Sequence, residues 1–363
     1  MKRRQFLTQA GAGLAASAVA APAIAQSQPA IHWRMASSFP KNLDTLYGAG
    51  EMLVKRVADA TDGKFQIRLF ASGEIVPGLQ VLDAVQNGTI ECGHTVPYYY
   101  VGKDPAFAFA TAIPFGLNAR QQNAWMYYGG GTQAMAALFR EYGCIQFPGG
   151  NTGAQMGGWF RKEIKTLADL RGLKMRIPGL AGQVMSRLGV VPQQIAGGEL
   201  YQALERGTID AAEWVGPYDD EKLGLNKVAK YYYYPGWWEG GPQLSVIVNI
   251  KKWVTLPKAY KAVFEAACAE SNVHMLARYD SANPHALKRL VGGGTQLRPF
   301  PKAVLEAGQK AAFELYDELA AKSPYFKSIY EGWLKFRADQ FLWFRVAEAS
   351  YDNFVFTSQP RKK

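Results

Sequence analysis

Two distant stretches of the chain repeat one order of apolar and polar positions. Val81-Leu82-Asp83-Ala84-Val85-Gln86-Asn87-Gly88-Thr89-Ile90-Glu91 is answered by Leu200-Tyr201-Gln202-Ala203-Leu204-Glu205-Arg206-Gly207-Thr208-Ile209-Asp210. In each, apolar residues at helical spacing run into a glycine suited to the left-handed conformation that ends a helix. A β-branched pair then opens an extended run. Strands are expected shortly before each copy, at Phe65–Phe70 and Leu173–Ile177, so each copy reads as a β-α-β unit. With Gly88 and Gly207 119 positions apart, the pattern predicts two α/β lobes of similar build rather than one large sheet.

Between the copies, the apolar Cys144–Phe147 run leads into Pro148-Gly149-Gly150-Asn151-Thr152-Gly153, which reads as a crossing from one lobe to the other. Leu244–Asn249, after Gly240-Gly241-Pro242, is a strand on the way back. From Leu256 to Leu290 and from Pro301 towards Tyr351 the apolar period becomes helical, broken at Gly292-Gly293-Gly294 and at Ser323-Pro324. The aromatics of this long helical C-terminal region, including Trp333, Phe336, Phe341, Trp343 and Phe344, are assigned to packing against the lobes or a second subunit.

Composition narrows the picture. The chain has 363 residues, 48% hydrophobic and 20% charged, which excludes a disordered chain and suffices for two cores without staples. Residues 1–25 carry Lys2, Arg3 and Arg4, no acid, an apolar Gly11–Ala21 core and an Ala23-Ile24-Ala25 exit. That is the pattern of a signal peptide, and Arg3-Arg4-Gln5-Phe6-Leu7 resembles the twin-arginine type. The expected location is therefore the periplasm. The segment holds three of the 41 basic residues and none of the 30 acidic ones, so the mature chain keeps a net charge of +8. Its cations are dispersed rather than gathered in a stripe, which together with export argues against nucleic acid. Cys92, Cys144 and Cys268 match no zinc or redox spacing. They are expected to be small buried residues, with at most one disulfide.

Open α/β sheets hold ligands beyond the carboxyl ends of their strands. The repeat places His94-Thr95-Val96-Pro97-Tyr98-Tyr99-Tyr100 opposite Glu213-Trp214-Val215-Gly216-Pro217-Tyr218 across one cleft. Tyr98 and Tyr99 bring hydroxyls, and Glu213 brings a carboxylate beside the indole of Trp214. Arg176 ends a strand just before Pro178-Gly179, where its planar fork suits a carboxylate. Gln155, just past the crossing, can donate to a ligand or turn its oxygen to a cation. The sequence contains no Gly-x-Ser-x-Gly elbow, Walker loop or His-Glu-x-x-His, and its four histidines form no ligand spacing. A hydrolase assembled from remote loops, with Glu213 as acid or base, is the alternative of another class.

Several segments together carry a resemblance: Trp33-Arg34-Met35-Ala36-Ser37-Ser38, the Leu167-Ala168-Asp169-Leu170-Arg171-Gly172-Leu173-Lys174-Met175-Arg176 run, Ala203–Trp214, and Tyr232-Tyr233-Tyr234-Pro235-Gly236-Trp237-Trp238-Glu239. Over nearly its whole mature length the chain resembles the extracytoplasmic solute-binding proteins of tripartite ATP-independent periplasmic (TRAP) transporters, in the dicarboxylate-binding-protein-like family. The last segment is closest to the branch that binds 2-oxo and 2-hydroxy monocarboxylates with a metal ion. The resemblance implies an α/β, two-lobed binding protein with no catalytic activity, its lobes spanning 26–151 with 243–285, and 152–242 with 286–363. It implies an ion pair between Arg176 and the carboxylate of a small 2-oxo acid such as pyruvate. Gln155, Tyr98, Tyr99, Trp214 and Gln243 would form the rest of the substrate site. A bridging sodium or calcium ion would be held by Gln155, Glu213, the Trp214 carbonyl and Glu239. The lobes are expected to close around Gly150 and Gly241, and the closed form to dock on the membrane subunits of the transporter. Lactate or a larger or aromatic carboxylate is the alternative ligand. The C-terminal helices resemble those that join a homodimer in this family.

Overall fold

The computed structural model describes residues 28–358; the expected export segment lies outside them. The described strands form two sheets. In spatial order the first contains β2 (Phe65–Phe70), β1 (Ile31–Ser37), β3 (Cys92–Thr95), β10 (Gln243–Asn249) and β4 (Cys144–Asn151). The second contains β11 (Gln296–Pro299), β9 (Tyr231–Tyr234), β5 (Gly158–Phe160), β8 (Ala211–Ala212), β6 (Lys174–Arg176) and β7 (Val191–Gln193).

The repeat read from the sequence is a repeat of structure. In the first lobe β1 pairs in parallel with β2 and β3; in the second β6 pairs in parallel with β7 and β8. The helices Val81–Gln86 and Leu200–Glu205 both form, and Gly88 and Gly207 adopt φ of 74° and 71°. The acid that closes each motif does the same work in both lobes. Glu91 accepts the backbone N–H of Arg34 at 2.8 Å, and Asp210 accepts that of Lys174 at 3.0 Å. One correspondence differs from the expectation: the strand before the second helix is β7, and β6 takes the place of β1. Val191-Pro192-Gln193 is a three-residue edge strand containing proline, too short and too irregular to leave an alternation in the sequence.

The expected loop at Pro148–Asn151 is also strand. Its backbone pairs antiparallel with β10, from Cys144 opposite Asn249 to Asn151 opposite Gln243, with a bulge at Leu244/Ser245. The glycines serve close approach rather than a turn. A Cβ on Gly149 would lie 2.5 Å from Val246 Cγ2, and one on Gly150 would lie 2.5 Å from Met275 Cε. The chain leaves this pair at Thr152 and returns at Pro242, and the two are joined by a Thr152 N–H to Pro242 carbonyl bond of 3.1 Å.

The helix Lys258–Gly292 runs unbroken through Pro284 and lies along both lobes. Near its start Tyr260, Phe264 and Cys268 pack with Trp33 and Phe65 in the core of the first lobe. Further along, the Ser271 hydroxyl donates to Gly149 carbonyl at 2.9 Å, and the Tyr279 hydroxyl donates to Asp219 of the second lobe at 2.6 Å. The glycine break at its end leads into β11, a strand the sequence did not announce, parallel to β9. The helices Lys302–Lys322 and Pro324–Phe344 then bridge outward-facing parts of both lobes. Glu318 meets Arg187 of the second lobe, and Tyr316 donates to the Pro114 carbonyl of the first at 2.9 Å. Trp333 is buried against Phe109, whereas Leu342, Trp343, Val346, Phe354 and Phe356 are exposed. All three cysteines are buried and free. No helix among the described residues is long and apolar enough to cross a membrane.

Gly158 fixes how closely β5 approaches β8. Its φ is 87°, and a Cβ there would lie 2.5 Å from the Ala212 carbonyl oxygen and 2.8 Å from Glu213 Cα. Gly158→Ala is expected to destabilise the protein by about 2 kcal/mol through overpacking and backbone strain. The measurement is the denaturant midpoint, which an unimportant glycine would leave in place.

Candidate functional site

Arg176 is the last residue of β6 and is only 1% exposed. Its Nε donates to the Ile195 carbonyl at 3.1 Å and its Nη1 to the Glu213 carbonyl at 2.9 Å, and Nη1 also pairs with the Glu213 carboxylate. The guanidinium carbon lies 5.0 Å from the Trp214 ring centroid. Nη2 is left with a single long contact, 3.5 Å to the Tyr99 hydroxyl. Two edges of the fork are thus fixed by its own lobe, and the third faces the other.

Glu213 and Trp214 follow β8 directly, and their loop is held from below. Asp220 accepts the backbone N–H groups of Val215 and Gly216, each at 3.2 Å, and also Trp159 Nε1 at 3.0 Å and the Tyr232 hydroxyl at 2.7 Å. The sequence reading missed this support. An acid in the first turn of Pro217–Lys222 was its only trace, and such acids are common at any helix start.

The first lobe brings Tyr98 and Tyr99 against this charged wall. They sit in the turn after β3, where Thr111 Oγ1 accepts the Tyr98 N–H at 3.1 Å. Gln194 donates across to the Tyr99 carbonyl at 3.0 Å, and Gly179 leaves room for the Tyr98 ring. Gln243, at the start of β10, donates its backbone N–H to the Thr111 carbonyl at 3.1 Å. Gln155 and Glu239 belong to the crossings and are joined by a Gln155 N–H to Glu239 carbonyl bond of 3.1 Å. The structure therefore gathers Arg176, Glu213, Trp214, Tyr98, Tyr99, Gln155, Glu239 and Gln243 in the region between the lobes, all buried. His94 holds in the first lobe the place of Glu213 in the second. Burial lowers its imidazole to about 4, so it is neutral, with Nδ1 3.4 Å from Ser37 Oγ.

Burial governs the charge in this region. Burial pushes the Glu213 carboxyl up against the pull of Arg176, and burial together with the Glu213 charge pushes Glu239 well above the usual carboxylate range. Burial opposes the Arg176 charge too, but Glu213 outweighs it and the guanidinium stays protonated. One guanidinium thus faces two carboxyl groups, of which Glu239 favours its protonated form. Four side-chain oxygens are buried without a partner: Gln155 Oε1, Glu213 Oε2, Glu239 Oε2 and Gln243 Oε1. Carboxylate and amide oxygens with no competing donor are the ligand set of a hard cation such as sodium or calcium, and a poor one for a soft metal. The residues fit such an ion.

The family model described as bacterial extracellular solute-binding protein, family 7, matches residues 36–323. The chain belongs to this family. As a family 7 protein it is a solute receptor of the extracellular side, not an enzyme, and the hydrolase alternative built on Glu213 falls. A monocarboxylate 2-oxoacid-binding periplasmic protein of Nostoc sp. is 56% identical over 99% of this chain and 100% of its own length. A TRAP transporter solute-binding protein from Bordetella bronchiseptica RB50 superposes with a TM-score of 0.90 at 56% identity, covering 91% of this chain and 98% of that one. It is described as a mixed-occupancy dimer with copurified calcium and picolinate in one active site and the other apo. A TRAP periplasmic solute-binding protein from Pseudoalteromonas atlantica T6c, with bound sodium and pyruvate, superposes with a TM-score of 0.87 at 39% identity, over 91% and 99% of the chains.

The carboxyls behind the site make stability depend on pH. Burial is the main reason that Asp219 is raised to about 7 and Asp220 to about 6. The folded state therefore keeps protons that the unfolded chain releases above about pH 4. Their contribution is fully present below that pH and is lost as pH rises through 6 to 7. The melting temperature of the ligand-free protein should fall between about pH 5 and about pH 7.5, and Asp219→Asn should flatten that slope. Equal slopes in calorimetry of the two proteins would contradict the assignment.

Proposed function

We propose that this protein is the periplasmic binding subunit of a TRAP transporter and captures a small 2-oxo monocarboxylate such as pyruvate together with a sodium or calcium ion. The observation that carries the reading is the remaining Nη2 edge of Arg176, directed at Tyr99 beside four unpartnered oxygens. A carboxylate on that edge would accept charge-assisted bonds that Tyr99 and Tyr98 extend. Gln155, Glu213, the Trp214 carbonyl and Glu239 would hold the cation, with Gln243 beside them. Bound there, the cation supplies the positive charge that lets an anion sit next to two carboxylates. The 2-oxo group places a second oxygen adjacent to the carboxylate, so one small molecule can offer both to one ion. Picolinate, seen in the Bordetella relative, has the same adjacency between its carboxylate and ring nitrogen. Trp214, Tyr98 and Tyr99 would stack on such a ring, which favours an aromatic carboxylate as the second reading.

The exposed Leu342, Trp343, Val346, Phe354 and Phe356 form an apolar end on the C-terminal helices, and the Bordetella relative is a dimer. These support a homodimer joined there. Sedimentation should give twice the chain mass, and Trp343→Glu with Phe354→Glu should return the monomer.

Arg176→Lys keeps the charge but not the fork. By calorimetry with pyruvate and calcium it should weaken binding by about 10- to 100-fold, the worth of a charge-assisted hydrogen bond. Removing sodium and divalent ions should weaken wild-type binding in the same assay. Unchanged affinity in the variant would end the role of Arg176, and a titration indifferent to both ions would end that of the cation.

A further inference from the structure

Asp44 lies in the first lobe just before the helix Leu46–Asp59, and three side chains from elsewhere converge on its carboxylate. Lys222 pairs with Oδ1, Arg278 pairs with Oδ2, and the Tyr218 hydroxyl donates to Oδ2 at 3.1 Å. Tyr218 and Lys222 belong to the helix Pro217–Lys222 of the second lobe, immediately after the loop that carries Glu213 and Trp214. The Lys222 ammonium also lies 4.0 Å from the Tyr218 ring centroid. Arg278, on the long helix, stands on the first lobe's side, since a Cβ on Gly48 would lie 3.7 Å from its Nη1. The side chains of Asp44, Lys222 and Arg278 are 39%, 27% and 37% exposed. They form a rim cluster apart from the buried residues around Arg176.

We propose that Asp44 is an electrostatic clasp between the lobes, beside the long helix, which holds them shut over the captured solute. Arg278 keeps the carboxylate in place on the first lobe, and Lys222 and Tyr218 reach it only when the second lobe has closed. A partly exposed ion pair is individually modest. A contact that exists in one of two states, however, shifts the balance between them by its whole worth. Lobe opening would separate Lys222 from Asp44, so the clasp slows release of the solute without touching it. Being exposed, it weakens as salt screens it. The inference rests on reading the site as a cage closed by lobe movement.

The test compares wild type, Asp44→Asn, Lys222→Met and the double variant by stopped-flow and calorimetry with pyruvate and calcium. Each single variant should weaken binding by about two- to fivefold, the upper range for such a pair, through faster dissociation. The double variant should be no worse than either single one. Choline chloride, which adds no candidate cation, should accelerate release from the wild type and have little effect on the double variant. Unchanged dissociation in folded single variants, or fully additive losses, would overturn the clasp. Independently of any variant, a zero-length carbodiimide should join Asp44 to Lys222 in the wild-type protein, in a yield that pyruvate raises. If the wild type takes no pyruvate, the reading of the site fails, while the Asp44–Lys222 cross-linked peptide still decides the clasp. Its absence with and without pyruvate overturns the proposal.

Discussion

The arrangement between the lobes depends on one guanidinium kept out of water. Removing a charge from solvent costs several kcal/mol even after relaxation, and breaking a buried pair costs nearly as much. Arg176 meets that cost with two backbone carbonyls and one carboxylate. The carbonyls come from Ile195 and Glu213, in loops following β7 and β8, the strands on either side of β6, so the fork is oriented by backbone. Glu213 compensates the charge, and burial beside Glu213 favours the protonated form of Glu239. With Glu239 holding its proton the Arg176–Glu213 pair is neutral, so a monovalent cation and an organic anion entering together keep the interior neutral, whereas either alone would leave it charged.

The two lobes share a plan and differ in charge. By strand register Arg176 pairs with Ala212 as Ala36 pairs with Gly93, and Glu213 stands where His94 stands. The first lobe therefore offers an alanine and a neutral imidazole at the positions where the second carries an arginine and a glutamate. What it adds instead are the Tyr98 and Tyr99 rings, which are neutral because burial raises both phenols, Tyr99 to about 12. One lobe holds the charge and the other excludes water. Low local dielectric strengthens every attraction inside, so the neutral wall matters to affinity as much as the charged one.

How much of this was legible follows from the kind of contact involved. Local rules exposed the two helix-glycine-strand motifs, because Gly88 and Gly207 meet a backbone need that only their own neighbours create. Glu213 was visible through the same repeat, and Arg176 as a cation at a strand end just before Pro178-Gly179. Pro148-Gly149-Gly150 read as a loop because composition cannot tell a turn glycine from one that makes room for Val246 and Met275. β7 and β11 are short edge strands held by their neighbours rather than by an alternating pattern. Asp220 and Asp44 were invisible for a further reason. Their partners lie in other elements, up to 234 positions away in the case of Asp44 and Arg278.

Besides the C-terminal helices, the lobes are joined at places of different character. The β4–β10 pair forms the floor, where the antiparallel ladder, bulged at Leu244/Ser245, runs up to Asn151 and Gln243. The helix Lys258–Gly292 forms the back, anchored to the first lobe through Ser271 and to the second through Tyr279 and Asp219. Other contacts between the lobes are made by single side chains, Lys222 to Asp44 beside the long helix and Gln194 to the Tyr99 carbonyl. Side-chain contacts can separate at small cost, whereas opening the floor would break a strand ladder and opening the back would leave Asp219 buried without its donor. These side-chain contacts are therefore where movement is least expensive, and Tyr99, which takes part in one of them, also faces the unfilled edge of Arg176.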